Sequence, residues 1–318
     1  LRHPFPSANP PLTHRMAASL PRIGFIGAGG VMGRSMCGHL IKAGYPTTLY
    51  SRTKSKCEDL LTSSGTASWA LSPRAVAERS DIVFTIVGYP HEAKQVILDE
   101  ETGVLAGMKS GSTLIDCTTS SPELAVTIFE AGKAKGIHAL DAPVSGGDIG
   151  ARNATLSIMC GGTEGTFQTT LPVLQVLGKN INHMGGPGCG QATKATNQVL
   201  IASGMIALCE GLMFASASGL DLEKTIEAVA SGAAGSWSLS NYGPRILKGD
   251  FKPGFFVDHY IKDLDIVLSE CRRMDLKLPG MELATNLYKQ LRDEQEKGGE
   301  MGTQALIKVF ERMNGRAL

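Results

Sequence analysis

Ile23-Gly24-Phe25-Ile26-Gly27-Ala28-Gly29-Gly30-Val31-Met32-Gly33 is the stretch whose reading decides the fold. A short apolar run ends in glycines and passes into a segment, 31–43, with helical patterning. Strand, glycine turn and helix in that order build a pyrophosphate site. The glycines let the backbone approach the phosphates, and the helix N-terminus supplies free N–H groups and a positive dipole end. The spacing departs from G-x-G-x-x-G. Gly27 and Gly29 take the first two places and Gly33 falls one residue late; taking Gly30 and Gly33 as the last two puts Ala28 first. Either the loop is one residue longer or its first glycine is alanine. A bare βα turn accounts for the same glycines, but the position in the first βα unit of an α/β half favours a ligand.

Outward from this turn, the chain alternates. Apolar runs predict strands at Ile23–Ile26, Thr47–Tyr50, 81–87, 112–117, His138–Asp141 and 154–160. Helical segments fall between them, at about 53–64, 72–79, 91–98, 122–135 and 163–177. Pro73 and Pro122 each follow a serine, the pairing that starts helices. This alternation predicts a Rossmann-type, doubly wound parallel sheet over 22–186. After 186 no strand signal follows. A proline-free apolar helix over 190–220, interrupted by Gly204 and Gly211, leads into helices at 221–230, 238–247, 262–274, 279–297 and 303–313. The expectation is an all-α domain over 187–318, joined through a long interdomain helix. That helix is apolar enough to raise a membrane span, but Glu210 and its Ser and Gly content favour a buried position.

Composition bounds the function. Of 318 residues, 42% are apolar and 19% charged, ordinary for a globular chain, with a net charge of +1 that gives no case for nucleic acid or membrane as partner. The 38 glycines exceed the usual ~7% and point to tight turns. Seven scattered cysteines without a C-x-x-C pair fit reduced thiols, and seven histidines without ligand spacing predict no metal. Residues 1–57 carry eight Lys/Arg and no acid. Within them, 1–21 has the Pro, Ser, Ala and Arg content of a transit peptide, which predicts a leader and a mitochondrial location. Translation from Met16 is the alternative and gives a cytoplasmic protein.

Three further stretches carry chemistry. An acid about 20 residues after the glycine loop marks NAD specificity. Here Ser51-Arg52-Thr53 stands in that place, with a guanidinium and two hydroxyls suited to a 2′-phosphate, so NADP(H) is favoured over NAD(H). A solvated basic turn is the plain alternative. Asp141-Ala-Pro-Val-Ser145-Gly146-Gly147 follows a strand and presents a hydroxyl and bare N–H groups suited to a carboxylate. Gly185-Gly-Pro-Gly188-Cys-Gly190-Gln-Ala-Thr-Lys194-Ala-Thr-Asn197 opens the long helix. Lys194 and Asn197 share a face there, and burial would lower the lysine's pKa and make it a proton donor near neutrality.

Together these stretches resemble the β-hydroxyacid dehydrogenase family, the group of 3-hydroxyisobutyrate dehydrogenase and the plant glyoxylate/succinic semialdehyde reductases, over about 22–312. The resemblance implies that Lys194 is the catalytic acid/base, that Asn197 orients the substrate, and that Ser145, Gly146 and Gly147 hold its carboxylate. It implies that Phe255 walls the substrate pocket and that Lys262-Asp263 reaches back, the lysine to the cofactor and the aspartate to the substrate. Thr119, Val87 and Gly88 would join 27–33 and 51–53 around the cofactor. The glycine loop is one residue longer than the family's G-x-G-x-M-G. 6-Phosphogluconate dehydrogenase is similar too, but its K-x-x-H-N is K-x-x-N here, which disfavours sugar-acid decarboxylation. The expected enzyme moves hydride between a nicotinamide and a short β-hydroxy acid or semialdehyde carboxylate. NADPH-dependent glyoxylate or succinic semialdehyde reduction is the alternative, and a non-catalytic NADP(H)-binding module is the alternative of another class. So apolar a helix also predicts a homo-oligomer.

Overall fold

The computed structural model describes residues 20–318, so the expected leader over 1–21 lies outside them but for its last two residues. The chain runs β1 (Ile23–Ile26), α1 (Val31–Lys42), β2 (Thr47–Tyr50), α2 (Glu58–Thr62), β3 (Ala67–Trp69), α3 (Pro73–Ala77), β4 (Ile82–Thr85), α4 (Pro90–Leu98), α5 (Val104–Gly107), β5 (Thr113–Asp116), α6 (Pro122–Lys133), β6 (His138–Asp141), β7 (Val144–Ser145), α7 (Gly147–Arg152), β8 (Leu156–Gly161), α8 (Glu164–Leu174) and β9 (Gly178–Gly185). Only helices follow: α9 (Cys189–Ala217), α10 (Leu222–Ala230), α11 (Trp237–Leu247), α12 (Val257–Arg273), α13 (Pro279–Glu294) and α14 (Ile307–Met313).

The strands form one sheet in the order β3-β2-β1-β4-β5-β6-β8-β7, with β9 paired to the free side of β8. Six strands from β3 to β6 are parallel. β8 turns antiparallel to β6 and β7 and takes β9 parallel. β1 and β4 read as near-continuous apolar runs because helices cover both faces. On one face Ile23 and Phe25 pack with Met36, Leu40, Leu60, Phe167 and Leu174 from α1, α2 and α8. On the other, Ile26, Val83 and Leu114 pack with Val76, Ile97, Leu105 and Ile128 from α3 to α6. The Ser-Pro pairs act as expected: the Ser72 and Ser121 hydroxyls accept from Ala75 N and Leu124 N at 3.1 Å each, capping α3 and α6.

The expected parallel sheet is thus extended by an antiparallel unit. β9 carried no strand signal because its side chains alternate toward solvent and its sequence, GKNINHMG, is polar. β3 and β7, of three and two residues, are too short for a periodicity to show.

α9 continues through Gly204 and Gly211 without a break. Its length and hydropathy would also suit a membrane span, but Met205, Cys209 and Leu212 enter a core built with Tyr260, Leu264, Tyr288, Leu291 and Leu306. Tyr260 and Tyr288 meet edge to face there, ring centroids 4.8 Å apart. α12 begins at Val257, five residues before the expected start, because Val257 N bonds Met301 O and Val257 itself is buried.

Candidate active site

Strand order reverses between β1 and β4, and in such sheets ligands enter the crevice beyond the carboxyl ends of the strands at that switch point. The glycine turn stands there. Gly27, at φ +93°, adopts a conformation that side chains disfavour, and a Cβ on it would collide with the Ile86 carbonyl. A Cβ on Gly29 would come 2.6 Å from Ser51 Oγ, and one on Gly33 would strike the Gly27 carbonyl. Gly30 N donates to Gly27 O at 3.0 Å and Gly30 caps α1 without a side chain. The extra residue is therefore absorbed in the turn, and Gly33, inside the first turn of α1, serves the close packing that the third glycine of the motif provides. No acid occupies that turn of the helix, so its free N–H groups remain suited to phosphate. Ala28 is buried, Val31 exposed and Met32 half-buried beside them. The residues present fit a dinucleotide.

Arg52 leaves the end of β2 with its side chain 84% exposed and pairs across the crevice with Glu92 at 2.8 Å. Thr53 opens a short 3₁₀ turn and Ser51 lies against Gly29. Beyond β4, Val87 N donates to Thr118 Oγ1 at 3.1 Å and Gly88 N to Glu92 Oε2 at 3.0 Å.

The remaining predicted residues meet at the N-terminus of α9. Asp141, at the end of β6, accepts from Gly188 N at 2.9 Å and Gln191 N at 2.8 Å, anchoring the helix. Burial pushes its carboxyl up to about 6 against these hydrogen bonds. Ser145, Gly146 at φ +126° and Gly147 at φ +60° form the next turn, and Ser145 Oγ donates to Asn197 Oδ1 at 3.1 Å. Asn197 Nδ2 donates to Gln198 Oε1 at 2.7 Å, and Gln198 Nε2 to Asp263 Oδ2 at 2.6 Å. Asp263 pairs with Lys262 at 2.6 Å, and Lys262 Nζ donates to Thr119 O at 2.9 Å. A polar chain therefore runs from the Ser-Gly-Gly turn through both helices to the loop after β5. Phe255 stacks edge to face on Tyr260, apart from this chain.

Lys194 lies on the same face of α9, 7% exposed, and its Nζ has no hydrogen-bond or ion-pair partner among the described residues. Burial lowers its pKa to about 8; Asp263 opposes the shift and Lys262 adds to it.

Sequence reasoning missed Glu92, Gln191 and Gln198. Gln191, fully buried, accepts from Ser120 N at 2.9 Å and donates to Thr118 O at 2.7 Å, holding the 118–120 loop to α9. Gln191 and Gln198 stand three before and four after Lys194, so helical spacing places all three on one face. That spacing was the available signal. Among the described residues no group of three His, Cys, Asp or Glu side chains is placed to hold a metal.

Comparison with known proteins bears on what this site serves. Residues 22–186 match the NAD-binding domain of 6-phosphogluconate dehydrogenase, and 188–310 the NAD-binding domain of NADP-dependent 3-hydroxyisobutyrate dehydrogenase. A protein of Arabidopsis thaliana named probable 3-hydroxyisobutyrate dehydrogenase-like 1, mitochondrial, is 52% identical over 92% of this chain and 86% of its own. The 2-hydroxy-3-oxopropionate reductase of Escherichia coli is 36% identical over 93% of this chain and 99% of its own. The crystal structure of a 3-hydroxyisobutyrate dehydrogenase from Salmonella typhimurium superposes with a TM-score of 0.81 at 29% identity, covering 91% of this chain and 99% of that one. With both halves matched and the identity sustained over nine-tenths of its length, the chain belongs to the β-hydroxyacid dehydrogenases of the 3-hydroxyisobutyrate dehydrogenase type, a family of NAD(P)-dependent oxidoreductases.

Proposed function

We propose that this enzyme interconverts a short semialdehyde or 2-oxo carboxylate and its hydroxy acid, prefers NADP(H) to NAD(H), and uses Lys194 as acid/base. The observation that carries the reading is the Lys194 ammonium, buried and unpartnered on the helix face that also bears the Ser145–Asn197 contact. Bound NADPH supplies the hydride, and the chain's residues do the rest. Gly27, Gly29, Gly30 and Gly33 cradle its diphosphate, with Ala28, Val31 and Met32 completing the turn, and Ser51, Arg52 and Thr53 receive the 2′-phosphate. Val87, Gly88, Thr119 and Lys262 line its nicotinamide side.

Ser145, Gly146 and Gly147 hold the substrate carboxylate, the Ser145 hydroxyl turning its proton from Asn197 Oδ1 to the substrate. Lys194 gives its proton to the oxygen of the carbonyl as negative charge develops there, and in the reverse direction its neutral amine takes the hydroxyl proton. A pKa near 8 keeps both forms populated around neutrality. Asp263, engaged by Gln198 and Lys262, steadies the lysine pair rather than meeting the substrate's like charge. Phe255 closes the apolar side of the pocket.

The exposed Arg52 supports reduction with NADPH as the working direction, since its guanidinium needs only to exchange Glu92 for a phosphate. The composition of 1–21, with the mitochondrial label of the Arabidopsis relative, supports a mitochondrial enzyme. Leu200 and Phe214, 72% and 75% exposed along α9, support assembly of identical chains through that helix.

The test is absorbance at 340 nm with NADPH or NADH against glyoxylate, succinic semialdehyde, methylmalonate semialdehyde and 2-hydroxy-3-oxopropionate, and with 3-hydroxyisobutyrate and the oxidised cofactors. Turnover with one member names the substrate, and the cofactor ratio tests Arg52. Cofactor binding without turnover of any carboxylate overturns the reading in favour of a binding module.

A further inference from the structure

α12 meets the crevice at a point that neither the mechanism nor the motifs use. His259 lies three residues before Lys262, so the two share the helix face turned toward the sheet domain. Its Nε2 is 3.6 Å from the place a Cβ on Gly88 would occupy. Its ring sits edge to face on Tyr89, centroids 5.5 Å apart at 87°, and on Phe256 at 5.6 Å and 68°. Two aromatic contacts, one from each domain, fix the ring's plane. Neither ring nitrogen has a hydrogen-bond partner among the described residues, although the side chain is half-buried.

Gly88 follows β4, directly beside the glycine turn that packs on Ile86. The peptide groups nearest the ring are also spoken for, because Gly88 N and Tyr89 N both donate to Glu92. A polar nitrogen with no protein partner among the described residues therefore stands beside Gly88, just past the carboxyl end of β4 and next to the glycine turn. Neither nitrogen is cut off from water, and a ligand atom that replaces the water there gains a directional hydrogen bond in a partly desolvated setting. Gly88 without a side chain leaves that approach open, since a Cβ there would crowd the Glu92 carboxylate at 3.0 Å and touch His259 at 3.6 Å.

We propose that His259 is a cofactor ligand supplied by the helical domain, its Nε2 hydrogen-bonding the ribose–diphosphate backbone of the dinucleotide beside Gly88. The inference rests on the NADP(H) reading above. It adds a second tether, besides Lys262, from α12 to the bound cofactor. Burial and the neighbouring Lys262 ammonium hold the imidazole below its usual pKa, with Asp263, Asp258 and Glu92 pulling the other way, so the neutral ring serves as a directional donor or acceptor rather than as a charge.

The experiment is titration of the full chain with NADPH, followed by nucleotide fluorescence, for wild type and for His259→Phe, His259→Gln and His259→Ala, with thermal unfolding of each unliganded variant as the folding control. Phe keeps the ring against Tyr89 and Phe256 and removes the nitrogen; Gln keeps a polar terminus and removes the ring. The expected result is a Kd raised roughly tenfold in His259→Phe and His259→Ala and restored to within about threefold by His259→Gln, the scale of one hydrogen bond to a phosphate or ribose. Equal affinity of wild type and His259→Phe overturns the proposal. So does a silent His259→Phe beside weakened His259→Gln and His259→Ala, which would assign the residue to packing. Wild-type protein that binds neither NADPH nor NADH overturns the parent reading, whereas a binding wild type with a silent His259→Phe overturns this inference alone.

Discussion

Lys194 carries a buried ammonium without an ion-pair partner among the described residues. Lys194 has a pKa near 8 in the folded chain against about 10.5 in an unfolded one. The folded value is depressed, so the unfolded state binds more protons between pH 8 and 10.5, and stability rises as the pH climbs through that window. At pH 7 the buried charge costs on the order of a few kcal/mol. Replacing it by methionine should raise the melting temperature at pH 7, lessen the gain on going to pH 10, and abolish turnover; an unchanged or lowered melting temperature at pH 7 would count against the buried charge. Lys194→Ala should lower kcat at least 100-fold while leaving the Kd for NADPH within about twofold. In the wild type, kcat for reduction should fall as pH rises through about 8, as the proton donor is lost, and kcat for oxidation should rise over the same range. At this scale the sequence was legible where a motif fixes residue type. The burial of Lys194 follows from its place on an apolar helix, whereas the Ser145–Asn197 contact, across 52 residues, does not show in the sequence. Glu92 was not legible, because its meeting with Arg52 depends on two loops that only the sheet brings together.

Along α9, glycines of one composition serve opposite ends. A Cβ at Gly190 would strike the carbonyls of Met159 and Asp141, backbone atoms that cannot move aside, whereas one at Gly211 meets nothing within 4 Å. Gly190→Ala should therefore destabilise the fold by more than about 3 kcal/mol, as overpacking does at its upper range, and Gly211→Ala should stabilise it by about 0.5–1 kcal/mol. Chemical denaturation of the two variants checks both signs. A neutral Gly190→Ala would mean that the helix does not rest directly on the Met159 and Asp141 carbonyls. The long helix, the caps at Ser72 and Ser121 and six of the strands could be read from pattern because each carries a local signature: a period, a serine before proline, or an apolar run. β9 could not, since an edge strand facing solvent on one side need not be apolar.

Over the whole chain, two cores communicate through the first turns of α9 and through the reach of α12. Wild type should unfold in one calorimetric transition, raised by NADPH by about 2.7 kcal/mol at a hundred times its Kd. Asp141→Ala leaves two buried N–H groups at the helix start without acceptors. It should cost about 2–4 kcal/mol and separate the helical domain's melting from the sheet's. A single undisplaced transition in the variant would show that the anchor is dispensable. The division into α/β and all-α halves was visible as a change of period, but the anchor was not: Asp141 and Gly188 lie 47 residues apart and no repeat links them.

That same anchor, with the order of the elements, allows an order of assembly. Every strand precedes Cys189, so the sheet and the Asp141 carboxylate can be complete while the ribosome still holds the helical half. Domains emerge and fold N-terminal first at about 5–20 residues per second, which leaves seconds between the last strand and the end of α12. The start of α9 then arrives at a finished surface with its two acceptor oxygens waiting. A helix bonded there at its N-terminus would have its apolar side held at one end before α12 and α13 are made.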